Sequence, residues 1–308
     1  MQEQVTSNLI MIRPVRFCSN KQTAESNAFQ NDVKVDENEL QIAVQTSFDE
    51  FVEQLRLRDI NVKVFEDTLE PHTPDSIFPN NWLSLHFSGK AILYPMEAEN
   101  RRAERRTDIL DYLKKDFDLD VILDFTHFEK EGKYLEGTGS LVFDRMHRVA
   151  YACLSTRTNQ DVLKAWQKQM NGYEVVTFSA NDRNGVPIYH TNVMMCMGET
   201  FCVICLDAIT DLDERLKVKK KLEATSKEVI EITMDQMENF AGNMLLVKNA
   251  SEKRFLIMSE KAHNSLTKAQ IRNLEDKAEI IAVDLGYIET MGGGSARCMI
   301  AENLLVKK

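Results

Sequence analysis

The 308-residue sequence has no run of apolar residues long enough to span a bilayer, which argues against a helical membrane protein. Nor does it have an excess of positive charge. Its 38 Lys and Arg stand against 48 Asp and Glu, a net charge of −10, whereas binding a phosphate backbone needs a basic face, so no nucleic-acid partner is expected. The opening Met1-Gln2-Glu3-Gln4 lacks the basic start and apolar centre of an export signal. Six cysteines, at 18, 153, 196, 202, 205 and 298, lack the spacing of a disulfide framework. These two absences give the expectation of a reducing, cytoplasmic location. Cys202-Val203-Ile204-Cys205 has metal-site spacing without a second pair or a histidine at ligand spacing. Inside an apolar strand its two thiols point to opposite faces, so it reads as core, and no metal or cofactor is expected.

What is present is the composition of an ordinary globular protein, 43% apolar and 28% charged, with length enough for one large or two ordinary domains. Asn8 to Pro14 reads as a strand, residues 18–39 as a long loop, Val44 to Leu57 as a helix and Ile60 to Phe65 as a strand. Trp82 to Leu93 reads as two strands joined at Ser88-Gly89-Lys90, followed by a helix over Arg101 to Phe117 and a strand over Asp120 to Phe125. The same order returns three more times. Successive strand pairs start at Trp82, Leu141, Val193, Met244 and Arg297, which are 59, 52, 51 and 53 residues apart. A near-constant period carrying one element order marks a repeat architecture. The expected fold is α/β: a five-fold pseudosymmetric α/β propeller of ββαβ units, inner strands with outer helices, closed across the termini. It forms one domain over residues 1–308. The basic cluster Arg101-Arg102-Ala103-Glu104-Arg105-Arg106 reads as a solvated helix face. Met194, Met195 and Met197 read as strand packing.

The loops before the inner strands carry the chemistry. In the last unit, three glycines precede Ser295-Ala296-Arg297-Cys298-Met299-Ile300. Taken alone, this is either a glycine loop before a buried strand with an inert thiol, or a thiolate nucleophile beside bare backbone amides. The other loops are Asp75 to Trp82, Leu135-Glu136-Gly137-Thr138-Gly139-Ser140 and Tyr189-His190-Thr191-Asn192. Pseudosymmetry brings equivalent loops to one axis, and a thiol, an imidazole and a carboxylate in one pit are the parts of nucleophilic catalysis. His72, His86, His127, His147 and His263 have no comparable setting.

The motifs Glu136-Gly137, His190 opening a strand, Gly293-Gly294 ahead of Arg297-Cys298-Met299, and Phe78-Pro79-Asn80-Asn81-Trp82 together resemble the guanidino-group-modifying enzymes of the pentein fold. That group includes arginine deiminases, dimethylarginine hydrolases and amidinotransferases. The wording of the motifs most resembles a bacterial amidinotransferase-like subgroup associated with citrulline hydrolysis. The resemblance implies Cys298 as nucleophile, His190 as general acid/base and Glu136 as the carboxylate supporting it. It also implies substrate contacts from Asp75, Asn80 and Asn81. Arg13, Arg183 and Arg297 are candidates to hold a substrate α-carboxylate by a bidentate pair.

The amides of Asn80 and Asn81, where arginine-type members carry an acid, suit a neutral ureido group better than a guanidinium. The expected activity is a hydrolase on a small amino acid with a terminal ureido or guanidino group, citrulline to ornithine first. The alternatives are an arginine or dimethylarginine deiminase, an amidinotransferase, or a non-catalytic binding protein of the same fold. The partner expected is this small molecule, with no membrane and with an oligomer possible.

Overall fold

The computed structural model describes residues 3–24 and 26–308. Strand β1 (Asn8–Arg13) leads through a helix over Glu37–Arg56 to β2 (Asn61–Glu66), which pairs parallel to it. Four complete units follow, each with an antiparallel pair and then a helix leading to a parallel third strand. They are β3 (Leu83–His86), β4 (Lys90–Leu93) and β5 (Val121–Asp124), then β6 (Val142–Asp144), β7 (Val149–Cys153) and β8 (Glu174–Phe178). Next come β9 (Met195–Met197), β10 (Phe201–Ile204) and β11 (Glu228–Glu231), and finally β12 (Leu245–Lys248), β13 (Arg254–Ser259) and β14 (Glu279–Val283). The two-residue β15 (Ala301–Glu302) pairs antiparallel with β1, Leu9 opposite Glu302. The fifth unit is therefore built from both ends of the chain. The result is five three-stranded sheets of one topology. Where inner strands of adjacent units meet, β15 lies against β3, β6 against β9 and β9 against β12.

The sheets are held by helices that bury one stripe each. The helix over Glu37–Arg56 buries Leu40, Val44, Phe48, Phe51, Val52 and Leu55. That over Gln160–Gln169 buries Val162, Leu163 and Trp166, with Trp166 stacked on Phe143 and its indole N–H donating to the Tyr94 hydroxyl at 3.2 Å. Cys202 and Cys205 are buried core thiols.

Three boundaries differ from the sequence reading. The first helix begins at Glu37 rather than Val44. Asp36 caps it by accepting from the amides of Asn38 and Glu39, a start set by side-chain capping rather than apolar periodicity. The predicted helix over Arg101 to Phe117 is two pieces, a 3₁₀ segment at Glu99–Glu104 and an α-helix at Thr107–Asp116. The predicted strand Cys298 to Ile300 is absent: Ala296 to Met299 form a turn, and strand pairing begins only at Ala301.

Replacing Asp36 by alanine should cost about 1 kcal/mol by urea unfolding, the usual worth of such a cap. Phe48→Ala, in a fully buried position, should cost about 3–5 kcal/mol. An unchanged midpoint for Asp36→Ala would mean that the first turns of the helix add nothing to the fold.

Candidate active site

Loops converge on the axis because two glycines let them. At Gly137, φ is +44°, and a side chain there would place its Cβ 2.2 Å from the Asn80 carbonyl oxygen. At Gly139 a Cβ would lie 2.4 Å from the Asn81 amide nitrogen and 2.8 Å from the His190 ring. Around them, Thr191 donates its hydroxyl to the Ser140 carbonyl at 2.6 Å and accepts from the Cys153 amide at 2.7 Å, tying the second loop to the third. The last loop arrives through a helix over Gly286–Gly292 that ends at Gly293 in the left-handed region, φ +64°.

The structure brings Cys298, His190 and Glu136 to this point, all buried. His190 Nε2 lies 2.9 Å from Glu136 Oε2. The other carboxylate oxygen accepts from the Glu97 amide at 3.0 Å, while Arg157 stands 3.6 Å and Arg101 4.0 Å away. Burial works against the charge on Glu136. The guanidinium of Arg157, the His190 bond and Arg101 outweigh it and bring the carboxyl down to about 2. Burial also dominates at His190, bringing it down to about 4 although Glu136 pulls the other way, so the imidazole is neutral at pH 7 and able to accept a proton.

Two amides face the thiol. Asn192 Nδ2 and Asn243 Nδ2 each lie 3.3 Å from Cys298 Sγ. Asn243 is itself fixed, donating to the Asn192 carbonyl at 2.9 Å and accepting from the Arg297 amide at 3.0 Å. Both amide nitrogens point at the sulfur, and the thiol in turn lies 3.7 Å from Asn243 Oδ1.

Cys298 and His190 line a narrow cavity of about 20 Å³ with Asp75, Phe78, Asn81, Arg101, Arg157 and Gly292 to Gly294. Thr23 and Asn27 reach in from the 18–31 loop. The space holds about one water, less than an amino-acid substrate needs. Asp75 accepts from Asn20 at 2.7 Å through one oxygen, and the other has no partner among the described residues. Burial raises the Asp75 carboxyl, against Arg101 at 3.7 Å. Asn81 accepts from Arg101 at 3.0 Å and leaves its amide nitrogen unpartnered. Asn80 is buried with both amide atoms unpartnered but does not line the cavity.

Several expectations are corrected here. Arg101 is no solvated residue. It is 2% exposed, grips Glu104 at 2.8 and 2.9 Å, and faces Asp75 and Glu136. Burial pushes Glu104 up to about 7 in spite of that grip. Arg183 lies at the surface, paired with Asp235 and Glu238, because its loop is turned away from the axis. Arg297 is buried but points the other way, to Glu302 at 2.6 Å and the Ile300 carbonyl at 2.9 Å. Arg13 pairs with Asp49 and Glu66 outside the cavity. The arginines that do line it are Arg101 and Arg157.

Sequence reasoning missed both, together with Asn192 and Asn243. The repeat held a signal for Asn243, which sits in the loop before the fourth inner strand.

A carboxylate-held imidazole and an amide-flanked thiol at the axis of five ββαβ units place the chain in the pentein superfamily of guanidino-modifying enzymes. Within it, the family model for eukaryotic N,N dimethylarginine dimethylhydrolase matches residues 13–305, and the chain belongs to that family. None of the curated protein sequences compared matches the chain. Among solved structures, the arginine dihydrolase ArgZ of the cyanobacterial ornithine-ammonia cycle aligns with a TM-score of 0.74 at 16% identity. The match covers 96% of this chain and 40% of that one. This chain thus spans less than half of the full-length dihydrolase, whereas it covers 96% of the isolated N-terminal domain bound to product. A dimethylarginine dimethylaminohydrolase variant carrying an S-methyl-L-thiocitrulline adduct aligns with a TM-score of 0.65 at 16% identity, over 97% of this chain and all of that one. At such identities the likeness speaks for the fold. No helix among the described residues is long and apolar enough to cross a membrane.

The buried pair has a defined pH signature. His190 takes up its proton near 6.5 when unfolded but only near about 4 when folded, so the unfolded state binds more protons between these values. Its contribution to stability is present above pH 6.5 and lost as pH falls toward 4. Glu136 adds to the loss below its unfolded value of 4.5, on the way down to about 2. Glu104, raised to about 7 when folded, acts with the opposite sign above its unfolded 4.5, so the signature is a difference: across pH 6.5 to 4 the wild-type urea midpoint should fall relative to that of His190→Gln. An equally steep slope in the variant would assign the signature elsewhere.

Proposed function

We propose that the chain is a cysteine-dependent hydrolase of the terminal C–N bond of an arginine-derived amino acid, acting as a single catalytic domain, with citrulline to ornithine as the preferred reaction. Cys298 is the nucleophile, His190 the acid/base and Glu136 its support. His190, neutral at pH 7, takes the thiol proton as the sulfur attacks the ureido carbon, and returns it to the departing amine of ornithine. A carbamoyl thioester remains on Cys298. Water, deprotonated through the same imidazole, cleaves it to carbamic acid, which breaks down to ammonia and carbon dioxide. Asn192 and Asn243 hold the sulfur during attack and release.

The observation that carries the ureido preference is Arg101. Its guanidinium already sits buried among Asp75, Glu104 and Glu136, all within 4.0 Å. A neutral substrate enters this compensated pit without adding a third cation beside Arg101 and Arg157. The unpartnered Asn81 amide nitrogen offers a donor for a ureido carbonyl.

A second reading, a guanidino substrate, is favoured by the unpartnered oxygen of Asp75 and by the family itself. A carboxylate with a free oxygen is a natural partner for a planar cation. In either reading the partner is a small molecule handled in the cytoplasm, not nucleic acid.

Incubation with citrulline, arginine, methylated arginines and agmatine, following ornithine, citrulline and ammonia, separates the two. Ornithine from citrulline supports the ureido reading, and citrulline from arginine or a methylated arginine replaces it with the guanidino one. Cys298→Ala should lower turnover by more than about 10³-fold while the unfolding midpoint stays close to wild type. Full activity in that variant would remove the mechanism.

A further inference from the structure

The loops before the inner strands form the catalytic cavity, so the hairpin turns after those strands lie at the opposite end of the sheets. There, between the first two complete units, is a separate cavity of about 150 Å³ lined by His86, Ser88, Lys90, Arg145, Arg148 and Tyr173, among others. It contains three cations and no lining carboxylate.

Their charges are poorly compensated. Among the described residues, neither Lys90 nor Arg148 has a carboxylate within 4.0 Å. Lys90 donates to the Gln169 carbonyl at 3.0 Å, a neutral acceptor. Arg145 reaches a single carboxylate, Glu302, at 3.4 Å, and that carboxylate is held more closely by Arg297 at 2.6 Å. The acids nearby in sequence are engaged elsewhere. Asp144 accepts from His147 at 2.9 Å and faces the buried Lys227, and Asp120 packs against Gly89. His86 adds no positive charge. Burial first, then Arg145 and Lys90, press its imidazolium form well below the usual range.

Two cations without a carboxylate and a third that shares one, around a cavity with room for a tetrahedral ion, call for a multivalent oxyanion. We propose that this cavity binds a phosphoryl group, taken from free phosphate or a nucleotide, and that its occupancy is felt at Cys298. The route for the second part is Arg145, which lines both this cavity and the axial pocket that contains Arg297 and Glu302. An anion drawing Arg145 away leaves Glu302 wholly to Arg297. The Arg297 amide donates to Asn243, and Asn243 donates to Cys298 Sγ. An anion that binds Arg145 better when it is turned from Glu302 than when it is held there supplies the coupling.

The test is isothermal titration of the full chain with inorganic phosphate, and separately with AMP, against chloride at matched ionic strength. Saturable phosphate binding that the Lys90→Gln/Arg148→Gln double variant weakens by roughly tenfold or more supports the site. The single, surface-placed Arg148→Gln should weaken it in the same direction, which guards against a double variant that folds poorly. AMP bound more tightly than phosphate identifies a nucleotide, and equal binding identifies the free ion. Absence of binding beyond chloride, or equal binding by the variants, overturns the site. The rate of iodoacetamide labelling at the Cys298 peptide, with and without phosphate, reads the coupling. A rate shifted at least about twofold in wild type but not in the double variant supports it, and an unchanged rate overturns it. This measurement depends on no assumed substrate.

Discussion

Everything at the axis depends on keeping charge buried without leaving it alone. Glu136 is the centre of that arrangement: one oxygen holds the His190 ring, the other takes a backbone amide, and Arg157 and Arg101 supply the opposing charge. A carboxylate removed from water is strongly unfavourable unless its partners arrive together. Those partners come from the chain near residues 101, 157 and 190, on different units, so the network forms only when those units pack together. Site geometry and fold are therefore one requirement. The chain cannot relax one unit without stranding a charge contributed by another.

The same network decides what the cavity can accept. Arg101 and Arg157 are resident cations, each set against carboxylates, and Asp75 and Asn81 present the unpartnered atoms. Recognition rests on which hydrogen bonds a substrate completes more than on net attraction, because most of the charge is already internally matched. An incoming group that satisfies the Asn81 nitrogen and the Asp75 oxygen together removes two buried deficits at once.

The architecture and the convergence of Cys298, His190 and Glu136 were legible because they are set by local pattern. The period of strand pairs, a glycine run before Cys298, and Glu136 and His190 in equivalent loops are all visible along the chain. Arg101 was not, because a run of mixed charge looks alike whether it is solvated or folded inward, and only the tertiary carboxylates that await it tell the two apart. Arg183 and Arg297 fail for the converse reason, since spacing gives proximity in sequence but not the direction of a long side chain. The run after the glycines misled in another way. A short apolar stretch is as compatible with a buried turn as with a strand, and Cys298 needed the turn.

That turn explains why adjacent residues serve different ends of the axis. In a strand, alternation would also send Arg297 and Cys298 apart, but it would not give the Arg297 amide to a side chain beside the sulfur. Here that amide donates to Asn243, whose own amide nitrogen reaches Cys298 and the Asn192 carbonyl. The guanidinium meanwhile turns to Glu302 on the short strand that closes the ring with β1. The strand that completes the fifth sheet thus anchors the residue before Cys298. Completion of the fifth sheet and the placement of the thiol are secured by the same few residues, and so Cys298 sits where the two ends of the chain meet.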